Sequence, residues 1–218
     1  MTDSPIRVLI VDDQELVRMG IRLMVDANDD MTTVAEAATG DEAITQVDDL
    51  HPDVVLMDVR MPGVDGITAT RRIIDTSPDA RIIILTTFDL DEYAFAALRA
   101  GASGFLLKDA GPQQISSAIR AVHDGDAAIS ARITRRMLEL FADKVPDETN
   151  PLPNIESLTP RETEILAAIG EGLNNDELAT RFFLSESTVK THVGRILMKL
   201  HLRDRVQAVL FAHRNGLV

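Results

Sequence analysis

Val8-Leu9-Ile10-Val11-Asp12-Asp13 and Val54-Val55-Leu56-Met57-Asp58 are the stretches on which the fold turns, because each is a short apolar run that ends in carboxylates. If the two runs are neighbouring parallel strands, their carboxyl ends bring three carboxylates to one sheet edge, where open α/β folds place their ligands. Three clustered carboxylates repel one another, so the arrangement calls for a hard divalent cation, Mg²⁺. Working outward, similar runs span Ile6 to Val11, Met31 to Ala37, Val54 to Met57, Arg81 to Thr86 and Ser103 to Leu107. Between them lie helical patterns such as Leu16, Val17, Gly20, Ile21 and Met24, or Ile67, Thr70, Arg71 and Ile74. The alternation predicts an α/β unit: a five-stranded parallel sheet with helices on both faces, closed by a helix near Pro112 to His123.

The charge divides along the chain. Residues 1–125 carry -12, residues 126–156 carry -2 and residues 157–218 carry +1, for a total of -13. An acidic first part and a near-neutral last part are different electrostatic objects and predict two domains with different partners. The boundaries predicted are 1–125 for the first domain, 126–156 for a linker that is helical in its first half (Ile129 to Phe141), and 157–218 for the second. Pro146, Pro151 and Pro153 mark the linker's remainder. There is no cysteine, which excludes disulfides and thiolate metal sites and suits a reducing cytosol. No window approaches the apolar length of a membrane span, and no export signal opens the chain, so a cytoplasmic protein without a membrane partner is expected.

Asp-Asp after a strand is also ordinary turn and helix-capping chemistry, and taken alone that is the commoner case. The balance shifts because Thr86 closes the fourth run and Lys108 closes the fifth. Singly, Thr86 is an ordinary β-branched strand residue and Lys108 a snorkelling one. Together, a carboxylate nucleophile, a cation, a hydroxyl and an ammonium are the parts needed to transfer a phosphoryl group onto an aspartate.

The last sixty residues carry a separate signal. Thr159, Pro160 and Glu162 spell an N-cap, a first helical position and a capping box. Asn174 with Glu177, and Ser185 before Glu186, offer two further helix starts. Three short helices, the last two joined by Phe183-Leu184-Ser185, predict a small all-α helix-turn-helix domain. In the third helix Val189, Val193, Ile196, Leu197 and Leu200 form an apolar face, with Lys190, Thr191, Arg195 and Lys199 largely away from it. An amphipathic helix with a solvated basic face has the same pattern.

Residues 6 to 123 resemble the receiver domain of bacterial two-component response regulators in Asp12-Asp13, in Met57-Asp58-Val59-Arg60-Met61-Pro62-Gly63-Val64-Asp65-Gly66, in Thr86 and in Lys108. The resemblance implies a flavodoxin-like fold with Asp58 as phosphoacceptor. It further implies Mg²⁺ held by Asp12, Asp13, Asp58 and the backbone carbonyl of Arg60, phosphoryl contacts from Thr86 and Lys108, and Phe105 as the switch aromatic. Asp109 stands where many receivers have proline, and Lys-Asp is frequent in the NarL/FixJ branch. Residues 158 to 218 resemble a LuxR-type DNA-binding domain in Leu158-Thr159-Pro160-Arg161-Glu162, Glu177-Leu178-Ala179, Ser185-Glu186-Ser187-Thr188-Val189-Lys190-Thr191-His192-Val193, Lys199-Leu200 and Arg205-Val206-Gln207-Ala208. This likeness implies DNA contacts from Thr188, Lys190, Thr191, His192, Arg195 and Lys199. It also implies a dimer contact on the final helix, roughly Arg205 to His213, through Val206, Val209 and Leu210. Gly194 departs from relatives with a basic residue there, and His192 fits either a backbone-contacting donor or a packed residue.

In this order the two domains specify a NarL/FixJ-type transcriptional regulator, not an enzyme beyond phosphotransfer and slow autodephosphorylation. Its implied partners are a sensor histidine kinase, double-stranded promoter DNA and, when phosphorylated, a second copy of itself. Two other readings stay open. A haloacid-dehalogenase-like phosphohydrolase would use Asp58 as nucleophile, although those enzymes usually show Asp-x-Asp and Arg60 stands at the second position here. An orphan regulator would bind DNA without phosphorylation.

Overall fold

The computed structural model describes residues 4–86, 96–126 and 155–218. The chain divides into two compact units, Met1–Ile129 and Ser130–Val218. The amphipathic stretch Ile129 to Phe141 and most of the predicted linker lie outside the described residues.

The first unit is a parallel sheet of β1 (Ile6–Val11), β2 (Met31–Ala37), β3 (Val54–Asp58), β4 (Ile82–Thr86) and β5 (Gly104–Leu107), in the order β2-β1-β3-β4-β5. Its helices are α1 (Glu15–Asp26), α2 (Gly40–Leu50), α3 (Gly66–Thr76) and α4 (Pro112–His123), with residues 96–99 also helical. The order reverses direction at β1, so a crevice opens between the carboxyl ends of β1 and β3. Val8, Ile10, Val54, Leu56, Ile83 and Leu85 face one side and pack with Ile21 and Val25 of α1 and Ile115, Ile119 and Val122 of α4. Leu9, Val55, Met57, Ile82 and Ile84, the alternate residues, are also fully buried, which is the two-sided burial expected of a parallel sheet.

Two helix faces differ from the sequence reading. In α1 the buried residues are Ile21 and Val25, whereas Leu16 is 81 % and Leu23 65 % exposed, so Leu16 does not belong to the packed face. In α3 the buried row is Gly66, Ala69, Thr70 and Ile73, so Thr70 is covered as expected, whereas Arg71 is exposed and Ile67 and Ile74 are only half-buried. The period of 3.6 survives in both, but the apolar residues spread over more than one stripe and only packing selects the stripe that is covered.

The second unit contains a short 3₁₀ turn (Ile155–Ser157), then α5 (Pro160–Gly170), α6 (Asn175–Phe182), α7 (Glu186–Lys199) and α8 (Arg205–Arg214). The start signals act as expected: capping boxes at Thr159 and Glu162 and at Asn174 and Glu177, and Ser185 Oγ accepting from the Thr188 N–H. Asp204 caps α8 in the same way. Val189, Val193, Ile196 and Leu200 are buried in the shared apolar cluster, with Leu197 partly so.

Candidate functional site

The carboxyl ends of β1, β3, β4 and β5 converge on one edge of the first unit. Asp12 follows β1 and is fully buried; Asp13 beside it is exposed; Asp58 ends β3 and is 3 % exposed. A ligand atom from each lies within 4.8 Å of the others. Lys108 reaches in from beyond β5, its ammonium 2.5 Å from Asp12 Oδ2 and 2.9 Å from Asp58 Oδ2. Thr86, buried at the end of β4, accepts the Lys108 backbone N–H through its own carbonyl at 2.7 Å, which registers the lysine on the site. Phe105, on β5, is already buried at 2 % exposure.

The charges do not balance. One ammonium faces two buried carboxylates, with a third carboxylate at the rim. Burial pushes the Asp58 carboxyl above its ordinary pKa, the neighbouring Asp12 charge adds to that, and the bonds from Lys108 and the Arg60 backbone N–H offset only part of it. Burial also works against the Lys108 ammonium, but the bonds and charges of Asp12 and Asp58 outweigh it, so the lysine pKa is raised. Lys108 therefore stays charged. A pocket of hard oxygen donors with a net negative charge has the chemistry of a Mg²⁺ site rather than of a soft-metal or nucleotide-base site.

Local structure explains why the acids stand where they do. Asp12 Oδ1 accepts the Gln14 N–H at 2.9 Å, and Arg18 of α1 donates to the Asp12 carbonyl at 2.7 Å. Arg18 escaped the sequence reading because its link to the site is a backbone oxygen, which no side-chain pattern records; its other partner, Glu36 at 3.3 Å, lies on β2. Gly66 opens α3 so closely beneath Asp58 that a Cβ there would sit 1.9 Å from the Asp58 carbonyl oxygen. Only glycine lets the β3–α3 turn close on the acceptor strand. Asp65, just before it, caps α3 by accepting the Thr68 N–H at 2.8 Å. A cavity of about 650 Å³ lined by Asp13, Arg60, Met61, Pro62, Asp65 and Thr68 opens beside the acids.

In the second unit, α7 exposes Lys190, Thr191 and Arg195, with Thr188 and His192 half-buried. Thr188 and Thr191 also satisfy local bonds, to Ser185 Oγ at 2.7 Å and to the Ser187 carbonyl at 2.9 Å. His192 Nδ1 is buried without a hydrogen-bond partner among the described residues, so that side of the ring is packed. The three cations differ. Lys190 is 3.7 Å from Glu186 one turn back, Arg195 has no polar partner among the described residues, and Lys199 is 2.7 Å from Glu162 of α5. Val206, Val209 and Leu210, expected as a dimer contact, are all buried, Val209 within the apolar cluster of this unit. They offer no free face in the chain as described.

Similarity to known proteins agrees with this geometry. Residues 8–120 match the family model of the response regulator receiver domain, and residues 156–212 match that of the luxR family of bacterial regulatory proteins. The transcriptional regulatory protein YxjL of Bacillus subtilis is 45 % identical over 219 residues, covering 100 % of both chains. LiaR, a transcriptional regulatory protein of the same bacterium, is 42 % identical, covering 98 % of this chain and 99 % of its own. Among solved structures, the response regulator ChrA of a heme-sensing two-component system superposes with a TM-score of 0.54 at 35 % identity, covering 99 % of this chain and 100 % of its own. The chain belongs to the response regulators. Within them it is a two-component transcriptional regulator that joins a receiver to a LuxR-type DNA-binding domain.

Proposed function

We propose that a sensor histidine kinase phosphorylates Asp58 and that the modified chain dimerises and binds promoter DNA through α7. The domain boundaries are 1–125, 126–156 and 157–218, and a DNA-binding regulator of a bacterium works in the cytoplasm. The observation that carries the reading is the Lys108 ammonium ion-paired with both Asp12 and Asp58 at a sheet edge where Asp13 and Thr86 also converge. In the transfer, an Asp58 carboxylate oxygen attacks phosphorus, the P–N bond of the kinase's phosphohistidine breaks, and the imidazole leaves with a proton. Asp12, Asp13, Asp58 and the Arg60 carbonyl would hold Mg²⁺, which supplies charge neutralisation for the incoming phosphoryl group. Lys108 and the Thr86 hydroxyl then bond the phosphoryl oxygens, and slow attack of water returns Asp58 to its free form.

The switch is a bias rather than a latch. Gaining both bonds outright would contribute about 2 to 4.5 kcal/mol, against about 5.5 needed to carry a two-state protein from 1:99 to 99:1. Lys108 already holds two carboxylates, so phosphorylation exchanges its bonds instead of adding them, and the shift falls toward the lower end. Phe105, already buried, adds little by entering the core.

On DNA, Thr188, Lys190, Thr191, His192 and Arg195 are the proposed contacts, in a dimer whose half-sites lie about 10 bp apart. Contact through Val206, Val209 and Leu210 on α8 requires that these buried side chains first be uncovered.

The test is labelling by acetyl phosphate with Mg²⁺. Incorporation should stop near one phosphate per chain, disappear in Asp58→Asn and disappear with chelator. Undiminished labelling of Asp58→Asn overturns the acceptor, and continuing turnover of the donor would favour a phosphohydrolase.

A further inference from the structure

The basic residues of α7 are not one set. Lys199 follows Lys190 by nine residues, about two and a half helical turns, so the two side chains leave opposite flanks of the helix. On its flank Lys199 meets the start of α5. Glu162 Oε2, on a residue only 4 % exposed, accepts from Lys199 Nζ at 2.7 Å, from the Thr159 N–H at 2.8 Å and from Thr159 Oγ1 at 2.9 Å. The Lys199 bond, with the Thr159 bonds behind it, holds the Glu162 carboxyl down to about 2. One carboxylate thus closes the N-cap of α5 and ties down the last turn of α7. By contrast, Lys190 pairs within its own helix, between exposed side chains, and releases its partner at little cost.

We infer that Lys199, through Glu162, is a positioning residue for DNA recognition rather than a phosphate contact: the pair sets the roll of α7 against α5 and hence which side chains face the groove. The inference rests on the DNA-binding reading above and gives the domain a device that reading lacks. The buried row Val189, Val193, Ile196 and Leu200 is apolar, and apolar packing is non-directional. A charge-assisted bond of fixed length at the end of the helix is directional and resists rotation about the axis. The exposed row Ser187, Thr191, Gly194, Arg195 and Met198 makes no side-chain bond to another helix among the described residues. Its orientation is therefore inherited from the opposite side of α7.

The salt dependence of binding separates positioning from contact. Six phosphate contacts per dimer from Lys190, Arg195 and Lys199 would give a slope of log affinity on log salt near about -5.4; four, from Lys190 and Arg195, give about -3.6. The experiment uses the full chain with Mg²⁺ and acetyl phosphate, and a duplex recovered by in vitro selection on that same protein. Lys199→Met and Glu162→Gln should each weaken binding roughly tenfold with the slope unchanged, and the double variant should be no worse than either, since contacting residues couple. Glu162→Gln keeps an oxygen to cap α5, and Lys199→Arg, which retains charge and reach, should recover most of the affinity. Denaturant melts of each variant confirm that the protein titrated is folded. A slope that falls by about 2 per dimer in Lys199→Met, with Glu162→Gln binding normally, makes Lys199 a phosphate contact and overturns the inference. Wild-type affinity in both variants overturns it as well. A wild-type chain that selects no duplex instead overturns the DNA-binding reading itself.

Discussion

The receiver edge and the recognition helix both gather charge, but they do so in opposite ways. At the sheet edge Asp12, Asp58 and Lys108 come from three separate strand ends, are nearly withdrawn from water and bond one another. On α7, Lys190 and Arg195 come from one helix and stand in water, and the Lys190 pair with Glu186 lies between exposed side chains of that same helix. Buried charges interact strongly and cost much to leave unpaired, which suits a site that must respond to two added negative charges. Exposed cations keep their solvent and exchange it for phosphate when DNA arrives, which suits reversible binding. Lys199 breaks the pattern on its own helix: it sits in the binding domain but is held in the manner of the receiver's lysine.

The largest effect expected from this contrast is at Lys108. Lys108→Met leaves two buried carboxylates without their counter-charge and should destabilise the receiver by about 3 to 5 kcal/mol in urea. Lys190→Met, removing an exposed cation, should change stability by less than about 0.5 kcal/mol. Equal costs at the two positions would erase the distinction drawn here. Second, Mg²⁺ should stabilise the receiver by about 2.7 kcal/mol when free ion is 100-fold above its dissociation constant. Asp13→Ala should remove most of that gain while leaving the metal-free melt nearly unchanged, because Asp13 is exposed. A full Mg²⁺ response in Asp13→Ala would place the ion elsewhere.

The third prediction is read against pH. The Glu162 carboxyl is lowered from 4.5 to about 2 in the fold, by the Lys199 bond first. A lowered acid pKa stabilises above the unfolded value, so this contribution is complete above pH 4.5 and is lost as pH falls toward 2. A melting series on the second domain should therefore steepen in acid for wild type and flatten in Glu162→Gln; identical acid limbs would show that the clamp is not formed in solution. A small gain is expected at Gly194, where an added Cβ would meet nothing within 4 Å. Gly194→Ala should stabilise α7 by about 0.5 to 1 kcal/mol in a thermal melt. A loss of stability there would mean that something packs on the exposed face of α7.

Much of this was legible in local sequence. β1 and β2 have the predicted limits, and β3, β4 and β5 differ by one residue at one end. The starts of α5, α6 and α7 follow from Thr159, Asn174 and Ser185, because an N-cap bond spans only three residues and needs no distant partner. Asp12, Asp13, Asp58, Thr86 and Lys108 were found by their places at strand ends. Their convergence followed from topology, since parallel neighbours put like ends together. Sequence was less able to say which apolar residues of α1 and α3 are covered. Leu16 and Ile21 are equally apolar, and only the neighbouring α4 and the sheet decide that Ile21 is inside.

The amino-acid sequence by itself determined the two-part organisation, the five-strand order of elements, the acidic constellation with its lysine and threonine, and the helix-turn-helix with its caps. All of these depend on periodicity, on composition, or on bonds between residues a few positions apart. The tertiary structure alone decided that Lys108 is shared between Asp12 and Asp58, that Gly66 must be glycine under the Asp58 carbonyl, that Val206, Val209 and Leu210 are covered, and that Lys199 belongs to Glu162. The partners in each of those cases are brought together by chain folding, and an ammonium on a flexible stem has no preference in sequence for one carboxylate over another. Distance in the folded chain makes the choice.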